Sequence, residues 1–174
     1  DYALFFHICS CLQKFYLVRT NHMATIKEML KQENVQIIKT CKNWESAIRI
    51  SVQPLVNGGY VTPAYINGII ENAHKFGPYF VLAPDLALLH ARPEQGVLHQ
   101  QLAVTVCREG VKFKEDADPV RVLVTLAAET PDDHIYVMRA FATMFADPSN
   151  IEKIATANSP ANIYQLFISF DSQD

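Results

Sequence analysis

Residues 120–127, VRVLVTLA, carry one charge and one hydroxyl in an otherwise apolar run. A strand facing water on one side would alternate polar and apolar positions. A strand apolar on both sides has to be covered on both faces, as the inner strands of α/β sheets are. Helices must therefore flank this segment above and below, and the rest of the chain has to supply them.

It does so in alternation. Residues 23–33 (MATIKEMLKQE) read as a short amphipathic helix with Thr25 as its cap, and residues 35–39 (VQIIK) as a β-branched strand. Asn43 opens a helix with apolar residues at Trp44, Ala47, Ile48, Val52, Leu55 and Val56, stopped by Gly58-Gly59. Thr62-Pro63 opens a second, with proline at its favoured first position, ending at Gly77-Pro78. Residues 79–83 and 86–89 read as strands split by Pro84-Asp85, and residues 98–107 as a longer strand. Asp132-Asp133 begin a helix through Phe145, and residues 148–157 and 159–168 form two more, with Ser149 and Ser159 as caps. The fold class expected is α/β, a mixed β-sheet sandwiched between helices.

The 174 residues are 49% apolar and 19% charged, enough to bury one real core. Residues 1–22 (DYALFFHICSCLQKFYLVRTNH) stand apart, ending at a His22-Met23 junction just before a helix signal. We expect them to be a cloning-derived or non-native leader, with one domain over 23–174. A signal peptide fits less well, because Asp1 stands where a basic residue belongs and no small-x-small cleavage site follows. The net charge of −3 and the lack of a Lys/Arg run speak against nucleic acid as a partner. No window approaches the ~18 apolar residues of a membrane span, so direct membrane insertion is not expected. Cys9, Cys11, Cys41 and Cys107 are scattered, which suits a reducing cytoplasm better than a disulfide framework.

Chemistry is confined to a few histidines. His74, His90, His99 and His134 form no H-x-x-x-H pair and have no carboxylate cluster, so no metal is expected. There is no G-x-S-x-G, G-x-G-x-x-G or Gly-Lys-Ser/Thr phosphate loop, and no cofactor is expected. His90 follows the apolar run Leu86–Leu89. Strand ends are where α/β folds place their sites, but a histidine there can equally just satisfy a strand-end hydrogen bond. His134 lies in a helix first turn after the strongest strand, where amides and the helix dipole favour an anion; the bland alternative is a solvated residue. His74 ends the second long helix and reads first as a surface residue, and His99 as a solvent-facing one. Arg92 and Arg139 can each contact phosphate or simply face water.

Residues 77–97 read GPYFVLAPDLALLHARPEQGV. Together with the Trp44-Glu45-Ser46-Ala47 helix start and the LVNGGYV turn at 55–61, this resembles the enzyme IIA components of the sugar phosphotransferase system (PTS), type 2, of mannitol/fructose type. Within that family the similarity is greatest to ascorbate-specific components. The resemblance covers the chain from Met23 onward and implies a cytoplasmic phosphotransferase. In it His90 takes a phosphoryl group from the phosphocarrier HPr and passes it to a cognate enzyme IIB, which serves the membrane component IIC. His134 supports the phosphoryl group, with His74 and Arg92 as further candidates, and a homodimer is an open option. The alternative within the family is a regulatory phosphorelay domain not coupled to transport. Two departures stand out: Leu89 replaces the family's proline, and Ala91 its glycine. The family arginine of some mannitol-type members is absent, and His74 falls near its place. Leu89, Phe80 and Val97 are expected to offer an apolar docking surface for both partners in turn.

Overall fold

The computed structural model describes residues 24–172. The expected leader, with Cys9 and Cys11, lies outside them. Five strands form one mixed sheet in the order β1-β4-β5-β3-β2. They are β1 (Leu30–Ile38), β2 (Val81–Ala83), β3 (Leu86–Leu89), β4 (Gln101–Val111) and β5 (Val120–Ala127). The helices are α1 (Ile26–Met29), α2 (Trp44–Asn57), α3 (Pro63–Phe76), α4 (Pro131–Met144), α5 (Ser149–Thr156) and α6 (Pro160–Ser169).

Strand β5 sits in the middle of this order, antiparallel to β4 and parallel to β3. Its alternate residues enter two separate cores. Val122, Val124 and Leu126 join Leu86 and Leu88 of β3 under α4, α5 and α6, with Val137, Phe141, Ile154 and Phe167. Leu123 and Ala127 join Ala87 and Leu89 on the other face, under α2 and α3, with Ile48, Leu55, Tyr65 and Ile69. Covered both ways, the strand needs no polar face, as its composition requires.

Caps set several helix starts. The Asn43 side chain accepts from the Ser46 N–H, and Ser159 from the Asn162 N–H. Thr62 stands at the start of α3 but makes no side-chain cap bond. Helix α5 has Pro148 rather than Ser149 at its cap; the Ser149 N–H donates to Asp147 instead.

Two other expectations need correction. The helix expected over 23–33 runs only from Ile26 to Met29. A Thr25–Glu28 capping box starts it, but from Leu30 the chain pairs in parallel with β4. Between the Leu30↔Leu102 and Val35↔Val104 pairs β1 advances five positions and β4 only two, so Lys31, Gln32 and Glu33 bulge outward into water. Polar residues read as a helix's outer face are thus the exposed side of a bulge, where sheet pairing overrides local propensity. Strand β4 starts at Gln101, not at residue 98, because the Leu98 and His99 N–H groups both go to the Tyr60 carbonyl.

Parallel pairing of β3 with β5, in register Leu89↔Thr125, brings their C-terminal ends to the same edge. The residue leaving β3 is His90. The chain leaving β5 enters α4, whose first turn holds His134.

Candidate active site

His90 continues the alternation of Leu86 and Leu88, toward the side covered by α4. Its ring lies 5.2 Å from the ring of His134, tilted by 53°. The Tyr79 ring also stands edge-on to it, at 5.3 Å and 83°.

The tautomer of His90 follows from one contact. Nδ1 is 2.6 Å from the Leu88 carbonyl oxygen, which can only accept. Nδ1 therefore carries the proton and donates it, leaving the Nε2 lone pair free. Burial disfavours the cation and outweighs the help of that carbonyl; His134 adds a smaller push in the same direction. Together they take the His90 pKa down to about 4. Burial also lowers that of His134. Both imidazoles are neutral at pH 7.

His134 is placed by its helix start. The Thr130 hydroxyl accepts from the Asp133 N–H while Asp133 accepts from the Thr130 N–H, a closed capping box. The His134 N–H goes to the Thr130 carbonyl at 3.3 Å.

The loop after His90 is seated on α3. Its short 3₁₀ turn, Pro93–Gln95, brings the Gln95 amide onto Asn72, with Asn72 Nδ2 donating to Gln95 Oε1 at 3.0 Å. The same oxygen accepts the Arg92 N–H at 3.1 Å. Gly96 has φ +140°, and a Cβ there would meet Thr62 Oγ1 at 2.6 Å and the Tyr65 nitrogen at 2.9 Å. Its carbonyl accepts from the Thr62 N–H at 2.8 Å.

Of the residues singled out from sequence, His90 and His134 come together. His74 does not join their contacts: its Nε2 lies 2.7 Å from Glu45 Oε1 and its ring packs on Trp44, in the seam between α2 and α3. Arg92 and Arg139 are exposed, and so is His99, near Glu129. The expected apolar docking surface is not there, since Leu89 and Phe80 are fully buried in the core beneath α2 and α3. Val97 alone of the three is partly accessible; the large apolar side chains left exposed among the described residues are Phe76, Val81 and Leu98.

Sequence reasoning passed over two tyrosines. Tyr65, on the buried face of α3, donates its hydroxyl to the Leu126 carbonyl at 2.6 Å and accepts from the Ala91 N–H at 3.1 Å. Tyr79, filed in a strand, donates to the His90 carbonyl. For Tyr65 the available signal was a phenol on a buried helix face, which usually takes a polar partner; Tyr79 offered no such signal. Among the described residues no group of three or more His, Cys, Asp or Glu could hold a metal, and no helix is long and apolar enough to cross a membrane.

The family described as "Phosphoenolpyruvate-dependent sugar phosphotransferase system, EIIA 2" matches residues 28–169. The chain is 31% identical over 144 residues to an ascorbate-specific PTS system EIIA component of Salmonella choleraesuis, covering 81% of this chain and 94% of that one. Its fold matches the solution structure of the mannitol-specific cryptic phosphotransferase enzyme IIA CmtB from Escherichia coli. There the TM-score is 0.76 at 29% identity, with 82% and 97% of the two chains covered. It also matches the structure of a complex of enzyme IIA and phosphorylated enzyme IIB for mannitol from Escherichia coli. That match has a TM-score of 0.71 at 29% identity and covers 80% and 97%.

Proposed function

Because this chain belongs to the type 2 enzyme IIA family of the sugar phosphotransferase system, and so is a phosphotransferase that carries phosphoryl groups, we propose that His90 is the residue that carries them. The observation behind the reading is the Nδ1–H bond to the Leu88 carbonyl beside His134. It leaves one unprotonated nitrogen, Nε2, on a neutral ring that is held still.

In the forward step the Nε2 lone pair attacks phosphorus in line. The new P–N bond forms as the P–N bond to the histidine of phospho-HPr breaks, and that electron pair returns to the HPr imidazole. The protein's share is position and charge stabilisation. His134 keeps one ring N–H when neutral, and donates it to a phosphoryl oxygen. The second step passes the group to a cognate enzyme IIB, a partner supported by the IIA–IIB complex of the mannitol relative. On that reading the transfer takes place in the cytoplasm.

For substrate we favour uptake of L-ascorbate or a similar acid sugar on the 77–97 stretch, since the 31% identity to an ascorbate-specific relative is equalled by a mannitol-specific cryptic one. Reconstitution with ascorbate-type and mannitol-type IIB proteins decides between them by which one takes the group.

The central test is incubation with phosphoenolpyruvate, enzyme I and HPr, reading acid-labile phosphate. Wild type is expected to label. His90→Ala is expected not to, with an unchanged circular dichroism spectrum. Full labelling of that variant would refute the assignment.

A further inference from the structure

The pairing of β3 with β5 ends at Leu89↔Thr125. Beyond it, the His90 carbonyl and the Ala91 N–H have lost their strand partners. These two groups are the two ends of one peptide unit, the one that follows the histidine. Tyr79 donates to its oxygen and Tyr65 accepts from its nitrogen. Tyr65 is itself fixed, since its own proton goes to Leu126 O on the neighbouring strand and its side chain is fully buried.

We propose that Tyr65 and Tyr79 are positioning residues for phosphoryl transfer, two phenols that clamp the His90–Ala91 peptide plane so that the imidazole keeps its Nδ1–H on Leu88 and presents Nε2. The proposal rests on His90 being the phosphoryl acceptor. The backbone on either side of His90 sets where its ring can reach. The Leu88 carbonyl bonds the ring only while φ of His90 and its χ angles hold one combination; with the chain before His90 held in β3 and the peptide after it held by the phenols, the Cα between them cannot turn and φ is fixed along with ψ. The Tyr79 ring, edge-on to the imidazole, and the His134 ring both pack against it and crowd its rotation. Burial pushes the Tyr79 pKa up to about 12 and raises that of Tyr65 as well, so both stay protonated donors through the neutral range.

The test is Tyr79→Phe, which removes one hydroxyl from a partly exposed residue and keeps the ring. Nitrogen-15 spectra of the imidazoles, with the His90 signals assigned by their loss in His90→Ala, report which ring nitrogen carries hydrogen. Wild type is expected to show the Nδ1–H form. In Tyr79→Phe that form is expected to give way to a mixture. The kcat for acceptance from phospho-HPr should fall about tenfold to a hundredfold at unchanged KM, the scale of a small misplacement of a reacting group. A wild-type His90 carrying hydrogen on Nε2 would overturn the proposal without any variant. So would a folded Tyr79→Phe with wild-type tautomer and kcat. Labelling of His90→Ala would instead overturn the role of His90, while the tautomer spectra still judge the clamp.

Discussion

At the scale of single residues, burial keeps the two facing histidines uncharged at neutral pH. His90 has a pKa near 4 in the folded chain against an ordinary value of 6.5, because burial penalises the cation. The unfolded chain therefore binds a proton between those values that the folded chain does not. Stability is unaffected above pH 6.5, falls as pH drops from about 6.5 to 4, and levels off below. At about 1.4 kcal/mol per pH unit this amounts to up to about 3 kcal/mol. Urea unfolding across that range is expected to show the slope, and His90→Asn to flatten it; an equal slope in the variant refutes the assignment. His134 plays a different part. His134→Ala is expected to label with phosphate still, but to pass it to enzyme IIB more slowly, because a lost transition-state donor costs about 2.7–4 kcal/mol. Single-turnover transfer to IIB measures this, and wild-type rates would make His134 a bystander.

At the scale of elements, the loop from His90 to Val97 matters as much as the strand before it. Gly96 seats that loop on the start of α3, in a backbone conformation that costs other residues about 1–3 kcal/mol. A methyl group there also runs into Thr62 and Tyr65. Gly59 makes a useful control, with φ +76° but open space around it, so alanine there costs only about 1–2 kcal/mol. Gly96→Ala is expected to lower the unfolding midpoint more than Gly59→Ala and, unlike it, to slow phosphoryl acceptance. Equal effects of the two would mean that the loop's seat is not needed.

At the scale of the whole molecule, one ion-pair cluster ties the sheet edge to the helical layer. Arg121 of β5 bonds Asp85 in the β2–β3 turn, with Nε to Oδ2 at 2.9 Å, and also Glu152 of α5. Asp85 holds φ +69° and accepts the Arg121 N–H as well. This turn sets the hairpin from which β3 runs on to His90. Arg121→Ala leaves a partly buried carboxylate without its main partner. It is expected to cost about 2 kcal/mol in urea unfolding, the scale of a charged hydrogen bond. A change under about 0.5 kcal/mol would show the cluster to be solvent-screened decoration.

Much of this was legible in the chain itself. A strand apolar on both faces demanded helices on both sides, and the alternation of Val122, Leu123 and Val124 between two cores is that demand met. Local chemistry marked Asn43 and Ser159 as caps and put His90 at a strand end, because those signals act within a few residues. What tertiary structure decided are the matters that depend on distant partners. Residues 31–33 look helical by periodicity, yet pairing of β1 with β4 makes them a bulge. Leu89 and Phe80 look available beside a site, yet α2 and α3 bury them. His74 is expected near the site, but it bonds Glu45 and packs on Trp44, residues 29 and 30 positions away in sequence. The two phenols reach the peptide after His90 from 26 and 11 residues upstream. A hydrogen bond across such separations leaves no trace in composition or period, because it exists only once the sheet has brought its ends together.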